Sequence, residues 1–289
     1  MTLLFEPLDF EFFRQGVVAS VLVGALCGML GVFVVLRRMS YIGHGLSHSV
    51  FGGAVIAYVA SINFYVGAGL WGFLSAVLIN ATARRRKIGA DAAIGIVTTA
   101  SFAVGVALIS RTRSFTRDFE AALFGNILGV TPGDLVVVAL VAVAVGAFLV
   151  LFYKPLFFMT FDPEVAPIYG VRSGRVDTLF ALALAATIVA SINVVGVTLI
   201  AATLVIPATT ARLLTDSFGR MIVLSTVLGA ASGLAGMYVS YWLDISSGAT
   251  IVLLEAAVFG GVAVGGRLVR RVPLRGETGP ATGDARRLA

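Results

Sequence analysis

Apolar runs of 18 to 25 residues, broken by short polar or basic stretches, recur along almost the whole chain. Each of these runs is long enough, as a helix, to cross a hydrocarbon layer of about 30 Å. Nine such segments can be placed, at 15–36, 45–61, 63–82, 92–110, 134–153, 174–192, 194–213, 220–242 and 248–268. The second is short and rich in Gly and Ser, and the fourth follows Asp91. The pattern predicts an all-α, polytopic transmembrane helical bundle of about nine spans, or eight with one segment re-entrant. It divides the chain into a segment 1–14 before the first span, a membrane domain 15–268 and a polar tail 269–289. The tail, rich in Gly, Pro and charge, is expected to be disordered.

Composition agrees. The chain of 289 residues is 58% hydrophobic and only 12% charged, about half the charge of a soluble domain. The net charge of +6 does not point to nucleic acid, because Lys and Arg stand at the ends of the apolar runs. With the N-terminus outside and nine crossings, 17 of the 21 Lys and Arg residues fall on the inner side. Arg14, Arg111, Arg113 and Arg117 alone fall outside, three of them within 111–132, so the C-terminus is expected in the cytoplasm. The first residues are acidic and lack the basic region of a cleaved signal peptide. Small residues four apart, Gly24/Gly28, Gly229/Gly233 and Gly261/Gly265, suit close helix packing in lipid. Cys27, the sole cysteine, lies within an apolar run and reads as a packing residue.

Two features carry chemistry. The only histidines, His44 and His48, are four residues apart among Gly and Ser. On a helix they share a face and can ligate one divalent transition metal. Gly45 stands where a catalytic Glu would follow the first His of a zinc protease motif, which disfavours that enzyme class. Glu255 sits in the middle of the last span, where an ionised carboxylate is costly without a partner or a polar cavity. It is a further candidate metal ligand. Asp91 and Asp244 lie at span ends and read as cap or loop residues. The loop 161–171 opens with Asp162, a good helix N-cap, and Pro163, suited to a first helical position, while Pro167 keeps any helix there short. A short helix carrying Glu164 and Ile168 is expected there, suited to docking a partner. No Walker A motif is present, since the two lysines come after Arg86 and Tyr153, so ATP would be bound by another subunit.

Several stretches carry a resemblance. Val34–Gly43 leading into Leu46-Ser47-His48, Leu123–Leu128, Phe161–Glu164 and Val205–Leu214 resemble the metal-type ABC importer permeases, the bacterial membrane subunits for manganese, zinc and iron. The likeness spans residues 14 to 268. It implies a non-enzymatic transport subunit in the bacterial cytoplasmic membrane, without a permanent cofactor. It also implies a second permease copy, cytoplasmic ATPase subunits and an extracytoplasmic metal-binding lipoprotein. In the family an Asp and a His four residues apart ligate the metal. His48 matches the His, and His44 replaces the Asp. The family's cytoplasmic coupling helix matches Phe161–Val171, with Asp162, Pro163, Glu164 and Ile168 as contact residues. An ion-coupled secondary transporter, with Glu255 as relay, is the alternative, but no inverted repeat is evident.

Overall fold

The computed structural model describes residues 6–83, 89–112 and 125–270. The proposed tail, apart from its first two residues, and Arg84, Arg85, Arg86, Lys87, Arg113 and Arg117 lie outside the described residues. Ten α-helices and no strand occur among the described residues. They are α1 (Glu11–Leu36), α2 (Ser40–Val59), α3 (Phe64–Ala83), α4 (Ala90–Thr112), α5 (Pro132–Leu151), α6 (Tyr153–Phe161), α7 (Ser173–Val195), α8 (Ile200–Leu214), α9 (Phe218–Leu243) and α10 (Ser247–Arg270). Each of the nine apolar segments is a helix. Without water, a spanning backbone can satisfy its own polar groups only as a helix or a closed barrel.

Seven helices are long and apolar enough to span by length and composition. The other two are α2, diluted by its Ser, Gly and His residues, and α8, whose 15 residues reach only about 22 Å. Neighbour contacts fix the relative directions. Gly24 meets Gly229 and Gly28 meets Ser225, so α1 and α9 are antiparallel. Gly45 meets Ile94 and Gly52 meets Ser101, so α2 and α4 are parallel. Gly53 and Ala57 face Trp71 and Gly67, so α3 runs against α2. Asn80 donates to Thr178 and Asn193 to Tyr65, so α7 runs against α3. Gly31 and Val32 meet Leu204 and Ala208, and Ser240 meets Ser247, which completes an alternating up-and-down order. The described basic side chains then gather at one end: Arg37, Arg38, Lys154, Arg172, Arg175, Arg212 and Arg220, with Arg14 and Arg111 opposite.

The core forms around α1 and α7, with Phe13, Phe33, Phe180, Leu184 and Ile188 wholly or almost wholly buried. The outer helix α5 instead exposes Leu140, Val143 and Val150, a surface suited to lipid tails. Its start is well specified. Thr131 and Asp134 form a reciprocal capping box, and Pro132 occupies the first turn. Asp244 closes α9 as its C-cap in the left-handed region at φ 53°, one of the two roles expected of it. Between α7 and α8, Gly196 at φ +85° turns the chain, so the segment expected from 194 begins as a helix only at Ile200.

The expected helix over 162–171 is not formed. Residues 163–170 are consecutive turns, and the helix lies just before them as α6. The start signal operates, since Asp162 Oδ1 accepts from Val165 N at 3.2 Å. Pro167 disfavours helical backbone at Ala166, so the turn does not propagate.

Candidate functional site

The first turns of α2 carry the histidine pair. Glycines let this helix sit deep against its neighbours. A Cβ on Gly45 would lie 2.4 Å from Ile94 Cγ2, and one on Gly52 would lie 2.3 Å from the Ser101 carbonyl oxygen. Such close backbone approach fixes which face of α2 turns away from α4. His44 is exposed and His48 half-buried, with ring centroids 4.5 Å apart at 75°. Phe102 of α4 backs His48 edge-on at 5.3 Å, and Tyr41 lies 6.0 Å from His44. Ser47 Oγ donates to the His44 carbonyl at 2.8 Å, keeping that hydroxyl inside its own helix. The two imidazoles thus form one adjacent nitrogen pair on a partly open face.

Glu255 does not complete that pair within one chain. No group of three His, Cys, Asp or Glu side chains able to share a metal occurs among the described residues. Glu255 is instead enclosed in the bundle, 2% exposed. The periodicity that placed it mid-span could not show which helices would surround it.

Asp162, Glu164 and Ile168 lie at the basic end, all exposed, with Ile168 81% accessible and Tyr169 beside it 68%. Pro163 opens the same turns. Above this surface, aromatic residues of α6 pack on Phe218: Phe157 at 5.4 Å, Phe161 at 5.4 Å and Tyr153 at 5.8 Å.

Two polar networks have no signature in the sequence. Arg37 pairs with Asp177 and stands 5.2 Å over the Phe180 ring, joining the end of α1 to the start of α7. Arg37 and Asp177 help line a cavity of about 280 Å³ at the basic end, with Asn80 and Asp91. At the opposite end Tyr65 donates to Asp134, and Asn193 donates to Tyr65 at 3.0 Å, tying α3, α5 and α7 together. An isolated Tyr or Asn at a span end gives no signal of such a partner.

The profile of the ABC 3 transport family matches residues 9–264. The chain belongs to this family. It is 37% identical over 260 residues to the manganese transport system membrane protein MntC of Halalkalibacterium halodurans, covering 90% of this chain and 89% of that one. It is 33% identical over 259 residues to the chelated iron transport system membrane protein YfeC of Yersinia pestis, covering 90% and 88%. Among solved structures, PsaBC from Streptococcus pneumoniae in complex with Fab matches with a TM-score of 0.81 and 32% identity, covering 90% of this chain and 94% of that one. The chain is therefore a metal-type ABC importer permease, a multi-pass protein of the bacterial cell membrane.

Proposed function

We propose that this permease passes a divalent transition metal ion (manganese, iron or zinc) into the cell, with His44 and His48 as ligands on the path. The observation that carries the reading is the adjacent imidazole pair on a partly open face of α2. Two ligands leave a first-row metal undercoordinated. A second copy related by a twofold axis would bring two more imidazoles, so the ligand count favours a dimer of permeases. The relatives named for manganese and for iron support metal as the cargo class. Energy would come from separate cytoplasmic ATPase subunits, and cargo from an extracytoplasmic metal-binding lipoprotein. The gathering of basic residues at one end supports placing that end, with the C-terminus, in the cytoplasm. The test is metal uptake into proteoliposomes with and without the ATPase partner. Uptake that persists undiminished without the ATPase, driven by an ion gradient, would favour a secondary transporter.

Replacing an imidazole by a carboxylate should change which metal is carried. His44→Asp is expected to keep transport while shifting preference from zinc towards manganese, because carboxylate oxygen is the harder ligand. Competition between the two metals during uptake measures this. An unchanged order would remove His44 from selectivity.

The turns at 162–170 suit the ATPase contact, because they place exposed Ile168 and Tyr169 beside Glu164 at the basic end. Glu164→Arg combined with Ile168→Asp is expected to abolish co-purification of the ATPase without lowering the melting temperature of the permease. Both side chains are solvent-facing, so the bundle does not depend on them. Normal co-purification with normal metal-stimulated ATP hydrolysis would rule the segment out.

A further inference from the structure

Arg37 stands between the histidine-bearing helix and the turns that suit the ATPase contact. It closes α1, and α2 begins shortly after it at Ser40. The joint is tightly bonded. Arg38 N donates to the Val35 carbonyl at 3.1 Å, and Met39 N to the Val34 carbonyl at 2.9 Å. These are the two bonds of a Schellman close, with Arg38 at φ +55° in the left-handed position that glycine favours. A shift of Arg37 is therefore passed to the first turns of α2, where His44 lies.

The guanidinium reaches across to α7. The Arg37 side chain is 10% exposed; it pairs with Asp177 and stands 5.2 Å over the ring of Phe180, one turn further along the same face. Phe33, one turn before Arg37, meets that ring at 6.1 Å. Asp177 lies in the second turn of α7, shortly after the turns at 163–170. Those turns are bonded onto the helix start. Val171 N donates to the Ala166 carbonyl at 3.1 Å, and Val176 N to that of Arg172 at 3.2 Å. Ala166 is wholly buried, so the segment that exposes Ile168 and Tyr169 is anchored to the bundle. Beside the ion pair lies the cavity of about 280 Å³, bounded also by Tyr41 and Ile42 of α2 and by Asp91 and Ile94 of α4. It gives the start of α2 room to move relative to α4.

We propose that Arg37 and Asp177 are positioning residues for transport: their ion pair carries movement of the ATPase-contacting turns from α7 to the α1–α2 joint, and so to His44 and His48. The inference rests on the ATPase contact at 162–170 and on the histidine pair as the metal path. An ion pair suits such a link. Separating the partners would leave a largely buried charge uncompensated, so the two helix ends stay together when one of them moves. Arginine suits it better than lysine, because its planar group can meet the carboxylate at its edge while its face lies on the Phe180 ring. The pair acts through the helices it joins and not on metal or ATP, so its loss should separate hydrolysis from uptake.

Asp177→Asn and Arg37→Gln, each reconstituted with the partner ATPase in proteoliposomes, test the link, with manganese as the probe ion. Uptake and ATP hydrolysis are measured together, and ATPase co-purification and melting temperature are measured on the same preparations. Manganese carried per ATP hydrolysed is expected to fall at least about tenfold in both variants. Co-purification and basal hydrolysis should stay at the wild-type level, which a general loss of structure would not allow. Arg37→Asp combined with Asp177→Arg restores the pair with opposite polarity and should recover most of the lost ratio. An unchanged ratio, or lost co-purification, in a folded single variant overturns the proposal. Failure of both single variants to fold overturns it too, since the pair is then a structural clamp alone, as does an exchanged variant that folds but stays uncoupled. The underlying reading fails separately, through normal co-purification in Glu164→Arg with Ile168→Asp or wild-type uptake in His48→Ala.

Discussion

His48→Ala is expected to lower metal uptake by at least about a hundredfold while the permease still assembles. Of the two histidines, His48 is the more enclosed, with Phe102 behind it and His44 one turn away. A ligand held in one orientation contributes more than a mobile one, and loss of even an outer-sphere partner commonly costs 10–100-fold in metal affinity. The structural cost is smaller. The edge-on contact with Phe102 contributes about 1 kcal/mol, and His48 is only half-buried. Uptake into proteoliposomes containing the ATPase gives the rate, and melting with size-exclusion chromatography gives the fold. Wild-type uptake in a well-folded His48→Ala protein would remove the pair from the path.

Locality decides which features the chain's pattern reveals. The nine apolar segments are legible because lipid admits no other backbone state for a long apolar run. The histidine pair is legible because i and i+4 share a helix face whatever surrounds the helix. Features that depend on neighbours are not. Helix α6 contains Pro155 and is apolar or aromatic on most sides, so no period marks it, although proline in a first turn costs no hydrogen bond. The turns at 163–170 look helical in sequence because the Asp162–Pro163 start is a local signal, whereas the effect of Pro167 on its preceding residue outweighs it. Tyr65 and Asp134 are 69 residues apart, and Asn193 is 59 beyond Asp134, so only the packing of α3, α5 and α7 brings them together. Glu255 is recognisably costly in its span, but the helices that bury it are not written in its local sequence. Its separation from the histidine pair is a fact of tertiary packing.

Gly229→Val is expected to destabilise the bundle by about 3 kcal/mol or more, the second large effect. Gly24 and Gly229 face one another where α1 crosses α9. A Cβ on Gly229 would lie 2.1 Å from the Gly24 carbonyl oxygen, and one on Gly24 would lie 2.2 Å from that of Gly229. These obstacles are backbone atoms, which no rotamer change can move, so the helices must part by about 1 Å or more. Parting them weakens two adjacent links, from Ser225 Oγ to the Gly28 carbonyl at 2.6 Å and from Ser20 Oγ to the Gly233 carbonyl at 3.2 Å. In lipid no hydrophobic force draws the helices back, because association there rests on close packing and interhelical hydrogen bonds. Valine adds a β-branch to the same crowded place, in line with the large losses seen for overpacked cores. Gly146→Ala on α5 is the control, since a Cβ there meets nothing within 4 Å. It should leave stability unchanged or raise it by up to about 1 kcal/mol through helix propensity. Thermal melting of the two variants in one detergent compares them. Equal melting temperatures would mean that the α1–α9 contact does not govern the stability of the bundle.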